Sequence, residues 1–362
     1  MGRPLKILFL LEDLCYGGTQ KQSLALATLL DRNKFDPFIL TLTGPTDLDD
    51  QALAAGVPVY HMNSTRKVDP LFFAGLGKRI RSMKPDIIVP CTALPNIWGR
   101  IWGKLLGTSL IVGTCRGGGA PARQHEWILW RLADGIVCNT PVLVEEMARR
   151  GADRKKLVYI ANGVDTEHFR PGPEKSGAPL IVCVARLARD KDHATLLEAF
   201  DRLGREFDDV RLCLVGDGPE EQRLREFCRS SMSPHVAGRV QFVGACADPA
   251  PWYAHADMFA LASVREGQPN ALLEAMSAAL PVCATSVGGI PDLVGSQGLL
   301  GPSRDAEILA QNMATLLRDR PRASRMGQAA RERVKRDFSF HAMVRKHEEF
   351  FLRLWHNGAN EA

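Results

Sequence analysis

The sequence predicts an α/β protein of two Rossmann-like domains facing across a cleft, with a C-terminal helix crossing back onto the first domain. Three observations predict it. Short apolar, strand-like runs alternate with helical stretches through both halves of the chain, as in a parallel sheet covered on both faces. The segment Pro171-Gly172-Pro173-Glu174-Lys175-Ser176-Gly177-Ala178-Pro179, polar and dense in turn formers, interrupts the alternation near the middle, and the alternation then restarts. At 362 residues, 45% of them hydrophobic, the chain is also longer than one ordinary core accommodates. The expected organisation is a first domain over 1–170, a second over 171–340 and a closing helix over 341–362.

In the first domain, Leu5 to Leu11, Phe35 to Thr41, Pro58 to His61, Asp86 to Pro90, Leu110 to Thr114, Gly135 to Asn139 and Leu157 to Ile160 read as strands. Gln20 to Leu30, Gln51 to Ala55 and the stretch from Pro141 to Gly151 read as helices between them. The first strand leads into Tyr16-Gly17-Gly18-Thr19-Gln20, where Gly17 and Gly18 let backbone amides approach a phosphate closely, although paired glycines at such turns are also common for steric reasons. Asp47-Leu48-Asp49-Asp50 contains an Asp-x-Asp of the kind that can hold a divalent ion. Its place just before a helix favours an N-cap cluster instead, and no catalytic metal is expected.

Arg66, Lys67, Lys78, Arg79, Arg81 and Lys84 bracket Leu71, Phe72, Phe73, Leu76 and Ile80, the pattern of a basic amphipathic helix. The ordinary reading is a solvated basic face. The alternative is a patch that rests on anionic lipid or steers an acidic substrate. Residues 1–170 hold 22 Lys and Arg against 16 Asp and Glu, whereas the remainder holds 24 against 25, so the excess of the +5 net charge is in this half. No basic stripe interleaved with aromatics is present, and nucleic acid is not an expected partner.

The second domain restarts with Leu180 to Val184, followed by strands at Val210 to Val215, Val240 to Val243, Met258 to Leu261 and Pro281 to Ala284. Thr195 to Phe207, Glu220 to Ser230 and Ala271 to Ala279 are the intervening helices, and Phe340 to Trp355 is an aromatic-rich final one. Nine cysteines, odd in number and without Cys-x-x-Cys spacing, read as free thiols in a reducing compartment. The apolar run Ile7 to Leu11 is too short for a signal peptide, Lys6 spoils a myristoylation pattern, and no eighteen-residue apolar run exists. The expected location is cytoplasmic, with peripheral contact at the inner membrane face as the role left to the basic helix.

The chemistry concentrates in Arg265-Glu266-Gly267-Gln268-Pro269-Asn270-Ala271-Leu272-Leu273-Glu274. Gly267 and Pro269 break regular structure and strong helix formers follow, so a helix begins near Pro269 or Asn270 with Glu266 before it and Glu274 one turn inside. Unpaired first-turn N–H groups lie between the two acids and suit a phosphate. This layout suits a nucleotide-diphosphate sugar: one carboxylate for sugar hydroxyls, amides for phosphate, the second carboxylate for ribose. Upstream, Arg186 and Lys191 stand five residues apart in the loop after Cys183-Val184, a bidentate fork and a compact charge suited to a diphosphate, with Arg189 as a less favoured alternative. Gly216-Asp217-Gly218-Pro219-Glu220-Glu221 begins like a dinucleotide fingerprint, but Glu221 stands where the third glycine belongs. It reads as a tight turn beside the ligand, with Gly218 in contact, rather than an NAD site.

Taken together these motifs resemble the retaining glycosyltransferases of family 4, with a GT-B fold, over nearly the whole chain. Gly17-Gly18 resembles the family's N-terminal glycine loop, Asn162-Gly163-Val164-Asp165 with Phe169 its interdomain strand exit, and Arg186 with Lys191 its diphosphate pair. Gly216-Asp217-Gly218-Pro219 and the two glutamates complete the set in the family's order. The resemblance implies a nucleotide-diphosphate sugar as donor substrate, with no further cofactor. Glu266 would lie near the sugar hydroxyls, Glu274 on the ribose, Asn270 and Ala271 would offer amides to phosphate, and Val243 to Asp248, including Cys246, would line the base pocket. A saccharide or lipid-linked acceptor would enter from the N-terminal domain, in polysaccharide or glycolipid biosynthesis. Two positions depart from the pattern. Where many relatives carry a histidine near the anomeric centre, this chain has Thr114-Cys115-Arg116-Gly117, which makes Arg116 the candidate there and His125 a second one. Gln268 replaces a commonly aromatic residue. An epimerase or hydrolase on the same fold, or a non-catalytic nucleotide-sugar-binding subunit, is the alternative reading.

Overall fold

The computed structural model of the chain describes residues 3–64, 69–117, 125–173 and 177–360. In the first half β1 (Leu5–Leu11), β2 (Phe35–Thr41), β3 (Val59–His61), β4 (Ile87–Pro90), β5 (Leu110–Cys115), β6 (Gly135–Cys138) and β7 (Leu157–Tyr159) form a seven-stranded sheet. Their order is β3-β2-β1-β4-β5-β6-β7. In the second half β8 (Leu180–Val184), β9 (Arg211–Val215), β10 (Val240–Gly244), β11 (Met258–Leu261), β12 (Val282–Thr285) and β13 (Gly298–Gly301) form a six-stranded sheet ordered β10-β9-β8-β11-β12-β13. Every pairing between these named strands is parallel. Ile7, Leu8, Phe9, Leu10 and Leu11 are all fully buried, on both faces of β1, which is why these strands read as continuous apolar runs rather than alternating ones. These are the two Rossmann-like sheets of the GT-B fold.

The chain divides into two compact units, Met1–Asn162 with Phe340–Ala362, and Gly163–Ser339. The division falls eight residues before the Pro-rich segment at Pro171, because Val164 to Arg170 is tied into the second unit: Val164 N–H donates to Phe338 O (2.9 Å) and Ser277 Oγ to Phe169 O (2.7 Å). The helix Phe340–Asn360 belongs to the first unit, where Met343, Val344, Phe350 and Phe351 join the core of Ile7, Phe9 and Phe35. Phe351 meets Phe35 edge to face at 6.2 Å. A Cβ on Gly135 would lie 2.5 Å from the Phe350 ring, so β6 needs glycine where this helix crosses it.

The basic stretch forms the helix Pro70–Met83, capped by Asp69, whose side chain accepts the Phe72 N–H. Phe72, Leu76 and Ile80 are buried, whereas Leu71 is 86% exposed. Arg66 and Lys67 lie outside the described residues. Asp47 and Asp49 do not act as the expected N-cap pair: Asp47 accepts the Tyr16 N–H (3.0 Å). Asp49 reaches back to the Thr46 N–H (2.8 Å) as the acid of a capping box does, and pairs with His61 (2.9 Å). All nine cysteines are free, seven of them buried. Among the described residues no helix is long and apolar enough to cross a membrane.

Candidate donor site

A parallel sheet puts the loops that follow its strands on one edge, and open α/β folds bind ligands there. In the second unit that edge carries Arg186 and Lys191 after β8, Gly216 and Gly218 after β9, Cys246 and Asp248 after β10, and Glu266 and Gly267 after β11. Main-chain bonds fasten these loops to one another. Leu187 N–H donates to Asp217 O (2.7 Å), Gly216 N–H to Gly244 O (2.8 Å), and Val264 N–H to Asp190 O (2.9 Å). Gly216 and Gly218 have φ of 141° and 153°, and a Cβ on either would strike a main-chain carbonyl of the loop after β8. Glycine there lets two ligand loops touch.

The helix after the acidic loop runs Asn270–Ser277. Pro269 supplies its N-cap in an extended conformation with no side-chain cap, and the Pro269 carbonyl accepts the Leu272 N–H (3.2 Å). Leu272, Leu273, Ala275 and Met276 are buried, which fixes the helix rotation and leaves Glu274 on the partly open side. Asn270 and Ala271 occupy the first turn, where amides have no intrahelical acceptor.

Lys191 and Glu266, 75 residues apart, form the central contact: Nζ lies 2.5 Å from Oε1, with side-chain exposures of only 20% and 8%. Ser263 Oγ donates to the same oxygen (2.7 Å), and Thr285 Oγ1 holds the Ser263 carbonyl (2.6 Å). Lys191 is thus partnered within the protein, whereas Arg186 stands 70% exposed with its nearest acid, Asp190, at 4.0 Å. The two cations are not equivalent. Lys191 orients the acid while keeping donors to spare, since an ammonium has three, and Arg186 is an exposed fork. Arg189 is turned to Glu220 (3.2 Å) and is not beside Glu266. Burial drives His193, which follows this loop, down to about 4, so it is neutral.

Glu274 Oε2 accepts a hydrogen bond from Tyr253 Oη at 2.9 Å. Val243 and Cys246 are half-buried and Asp248 is exposed. Asp248 accepts the Ala250 N–H (3.1 Å) and pairs with His168 (2.8 Å), and Cys246 Sγ donates to Asp248 O (3.1 Å). Three contributors were not singled out from sequence. Tyr253 sits in a short helix whose apolar neighbours make it look like core, and Ser263 is an isolated hydroxyl at a strand end. Gly288 is visible only as half of a glycine pair, yet it has φ of 56° and its Cα faces the Glu266 carbonyl so closely that a Cβ would overlap it.

In the first unit Gly17, Gly18 and Arg116 follow β1 and β5, on the carboxyl edge of that sheet. Gly17 is the N-cap of the helix Gly18–Leu29, which has no acid in its first turn. The Arg116 guanidinium donates to Asn162 Oδ1 (2.9 Å), while its Nε is buried with no partner, and burial lowers its pKa. His125 is exposed with φ of 52°.

With this geometry in view, two family models match the chain: Glycosyltransferase Family 4 over residues 16–168, and Glycosyl transferases group 1 over residues 178–319. A GDP-mannose-dependent alpha-(1-6)-phosphatidylinositol monomannoside mannosyltransferase of Mycobacterium tuberculosis is 29% identical over 335 residues, 85% of this chain and 86% of that protein. The putative colanic acid biosynthesis glycosyltransferase WcaL of Escherichia coli is 34% identical over 227 residues, 58% of this chain and 54% of its own. Among solved structures, Anabaena Alr3699/HepE in complex with UDP superposes with a TM-score of 0.83 at 19% identity, over 96% of this chain and 100% of the other. The chain is therefore a glycosyltransferase whose first half matches Family 4 and whose second half matches the group 1 glycosyl transferases.

Proposed function

We propose that the chain transfers a hexose-type sugar from a nucleotide-diphosphate sugar to a saccharide or lipid-linked acceptor, with retention at the anomeric carbon and without a metal ion. The observation that carries this reading is the part-buried Lys191–Glu266 pair, set on the carboxyl edge of the second sheet beside the helix that presents Glu274. Glu266 is assigned to the sugar hydroxyls, Glu274 to the ribose, the amides of Asn270 and Ala271 to phosphate, and the segment Val243 to Asp248 to the base. In the reaction the acceptor oxygen bonds to the anomeric carbon as the bond from that carbon to the phosphate oxygen breaks. The departing phosphate takes the acceptor proton on the same face. Arg186 and Lys191 stabilise the charge that grows on the leaving diphosphate. Gly17, Gly18 and Arg116 are assigned to the acceptor side, with Arg116 in the place of the family histidine.

The test is a melting-temperature screen of nucleotide sugars, beginning with GDP-mannose and UDP-glucose because a relative's name and a neighbour's ligand specify GDP-mannose and UDP. It is followed by product analysis with phosphatidylinositol mannoside and saccharide acceptors. A ligand selective for the folded state raises the midpoint. Transfer with an α-linked product from an α-linked donor, unchanged by EDTA, is expected. A sugar epimerised without acceptor would establish the epimerase reading, and nucleotide binding without any turnover the binding-subunit reading.

We further propose that the protein works at the cytoplasmic membrane face, touching anionic lipid through the helix Pro70–Met83. Leu71 is 86% exposed there and Lys78, Arg79 and Arg81 share the element. Binding to vesicles containing phosphatidylglycerol should exceed binding to neutral vesicles and weaken with salt. Leu71→Asp should reduce it several-fold, since a charge replaces buried apolar area. Equal binding to both vesicle types ends this part of the proposal.

A further inference from the structure

We infer that Tyr253 is a positioning residue for nucleotide recognition: its buried hydroxyl holds the Glu274 carboxylate in the orientation that accepts ribose hydroxyls, and so sets a preference for ribonucleotides over deoxyribonucleotides. The inference rests on the assignment of Glu274 to the ribose made above.

Tyr253 is 1% exposed and lies in the helix Ala250–His255, between the rings of Phe169 (5.8 Å, edge to face) and Phe259 (6.0 Å). So apolar a setting suits phenylalanine, and a buried hydroxyl is tolerated only where it finds a partner. Here two acceptors face it, Glu274 Oε2 at 2.9 Å and Ala271 O at 3.1 Å. A phenol has one proton, and the bond to the carboxylate is both the shorter and the charge-assisted one, so it takes the proton. Burial and the adjacent Glu274 charge keep the phenol protonated well above its ordinary range, so it is a donor at neutral pH.

The effect on Glu274 is orientational. A glutamate on a partly open helix face samples several rotamers, and ordering it when ligand arrives costs side-chain entropy. Tyr253 makes that ordering part of the folded state by fixing the Oε2 oxygen. Its own ring is held through the segment that leads into the second unit. Phe169, which packs on Tyr253, has its carbonyl tied by Ser277 Oγ (2.7 Å), and its neighbour His168 pairs with Asp248 (2.8 Å), a residue assigned to the base pocket. Base-side and ribose-side groups therefore share one support.

The experiment is calorimetric titration of the full chain and of Tyr253→Phe with UDP and GDP, and with the 2′,3′-dideoxy form of whichever binds. The wild-type protein is expected to prefer the ribonucleotide by roughly tenfold or more, from one or two hydrogen bonds to a charged acceptor. Tyr253→Phe should lose most of that preference, weakening the ribonucleotide about fivefold to tenfold while leaving the dideoxynucleotide unchanged. In turnover, kcat/KM for the donor should fall by the same factor with kcat nearly constant. Glu274→Gln provides a second readout, because adding Tyr253→Phe to it should cause no further loss. Equal weakening of both nucleotides by Tyr253→Phe, or an undiminished preference, overturns the inference and leaves a packing role. Equal wild-type affinity for both nucleotides would instead refute the assignment of Glu274 to ribose. If Tyr253→Phe melts early, the titrations are run below its midpoint, where an undiminished ribonucleotide preference still overturns the inference and a selective loss of that preference supports it.

Discussion

Lys191→Met is expected to lower turnover by roughly 10²–10³-fold, the usual effect of removing one preorganised group that stabilises leaving-group charge. Methionine keeps an unbranched apolar stem of similar length and deletes only the ammonium, so the loss reports charge rather than packing. Two consequences add. The leaving diphosphate loses a cation, and Glu266 loses its closest partner while 8% exposed, retaining the Ser263 hydroxyl on the same oxygen. An ion-paired hydrogen bond of this kind contributes about 1.5–3 kcal/mol, so stability should fall measurably but the fold should persist. Because Lys191 acts partly through Glu266, the two should be strongly non-additive: in a Lys191→Met, Glu266→Gln double variant, turnover should fall far less than the product of the single effects. Steady-state kinetics with the donor found in the screen checks this. Turnover within a few-fold of wild type for Lys191→Met would remove Lys191 from the mechanism.

The cation pair also shows where reading from sequence succeeds. Arg186 and Lys191 are visible as cations in a loop after a strand, and Glu266 and Glu274 as acids about a helix start that falls at Asn270, within a residue of expectation. Those are local signals: breakers, formers and spacing. What spacing cannot encode is that Lys191 bonds to Glu266 and Arg186 does not, since that depends on the neighbouring exits of β8 and β11. The strand alternation placed the two sheets, yet the helix Ala93–Leu105 carries Pro95, Gly99 and Gly103 and reads locally as broken. Packing explains its glycines. A Cβ on Gly103 would sit 2.7 Å from Ile111 Cδ1, and one on Gly99 3.0 Å from Leu10 Cδ2, so the helix lies closer to the sheet than an added side chain fits without a shift of its neighbours. The strand β13 is four residues bounded by two glycines and is fixed by pairing with β12 rather than by propensity. The helix Ala306–Arg318 is legible in principle, with Asp305 capping Ile308 N–H (2.9 Å) and Leu309, Met313 and Leu316 buried at helical spacing.

Gly288→Ala is expected to reduce turnover by about 100-fold or more without unfolding the second unit. Gly288 has φ of 56°, a conformation that costs an L-residue about 1 kcal/mol, and that alone is a stability effect. The larger consequence is geometric. A Cβ there would overlap the Glu266 main-chain carbonyl, a rigid group, and Gly289 N–H is bonded to Gly267 O (2.9 Å), so the two loops cannot separate without moving the acidic loop. Relief by an ångström or so at Glu266 displaces the carboxylate from Lys191 and from the sugar, and misplacement on that scale can cost about 10²-fold. Gly295→Ala separates strain from position. Gly295 has nearly the same φ, 57°, in the same unit, but its added methyl would meet the guanidinium end of Arg333, a flexible side chain away from the acidic loop. Gly295→Ala should therefore lower the melting temperature with turnover retained, whereas Gly288→Ala should lose turnover out of proportion to its melting temperature. Equal activity losses in the two variants at equal loss of stability would show that Gly288 supports the fold only and does not set the position of Glu266.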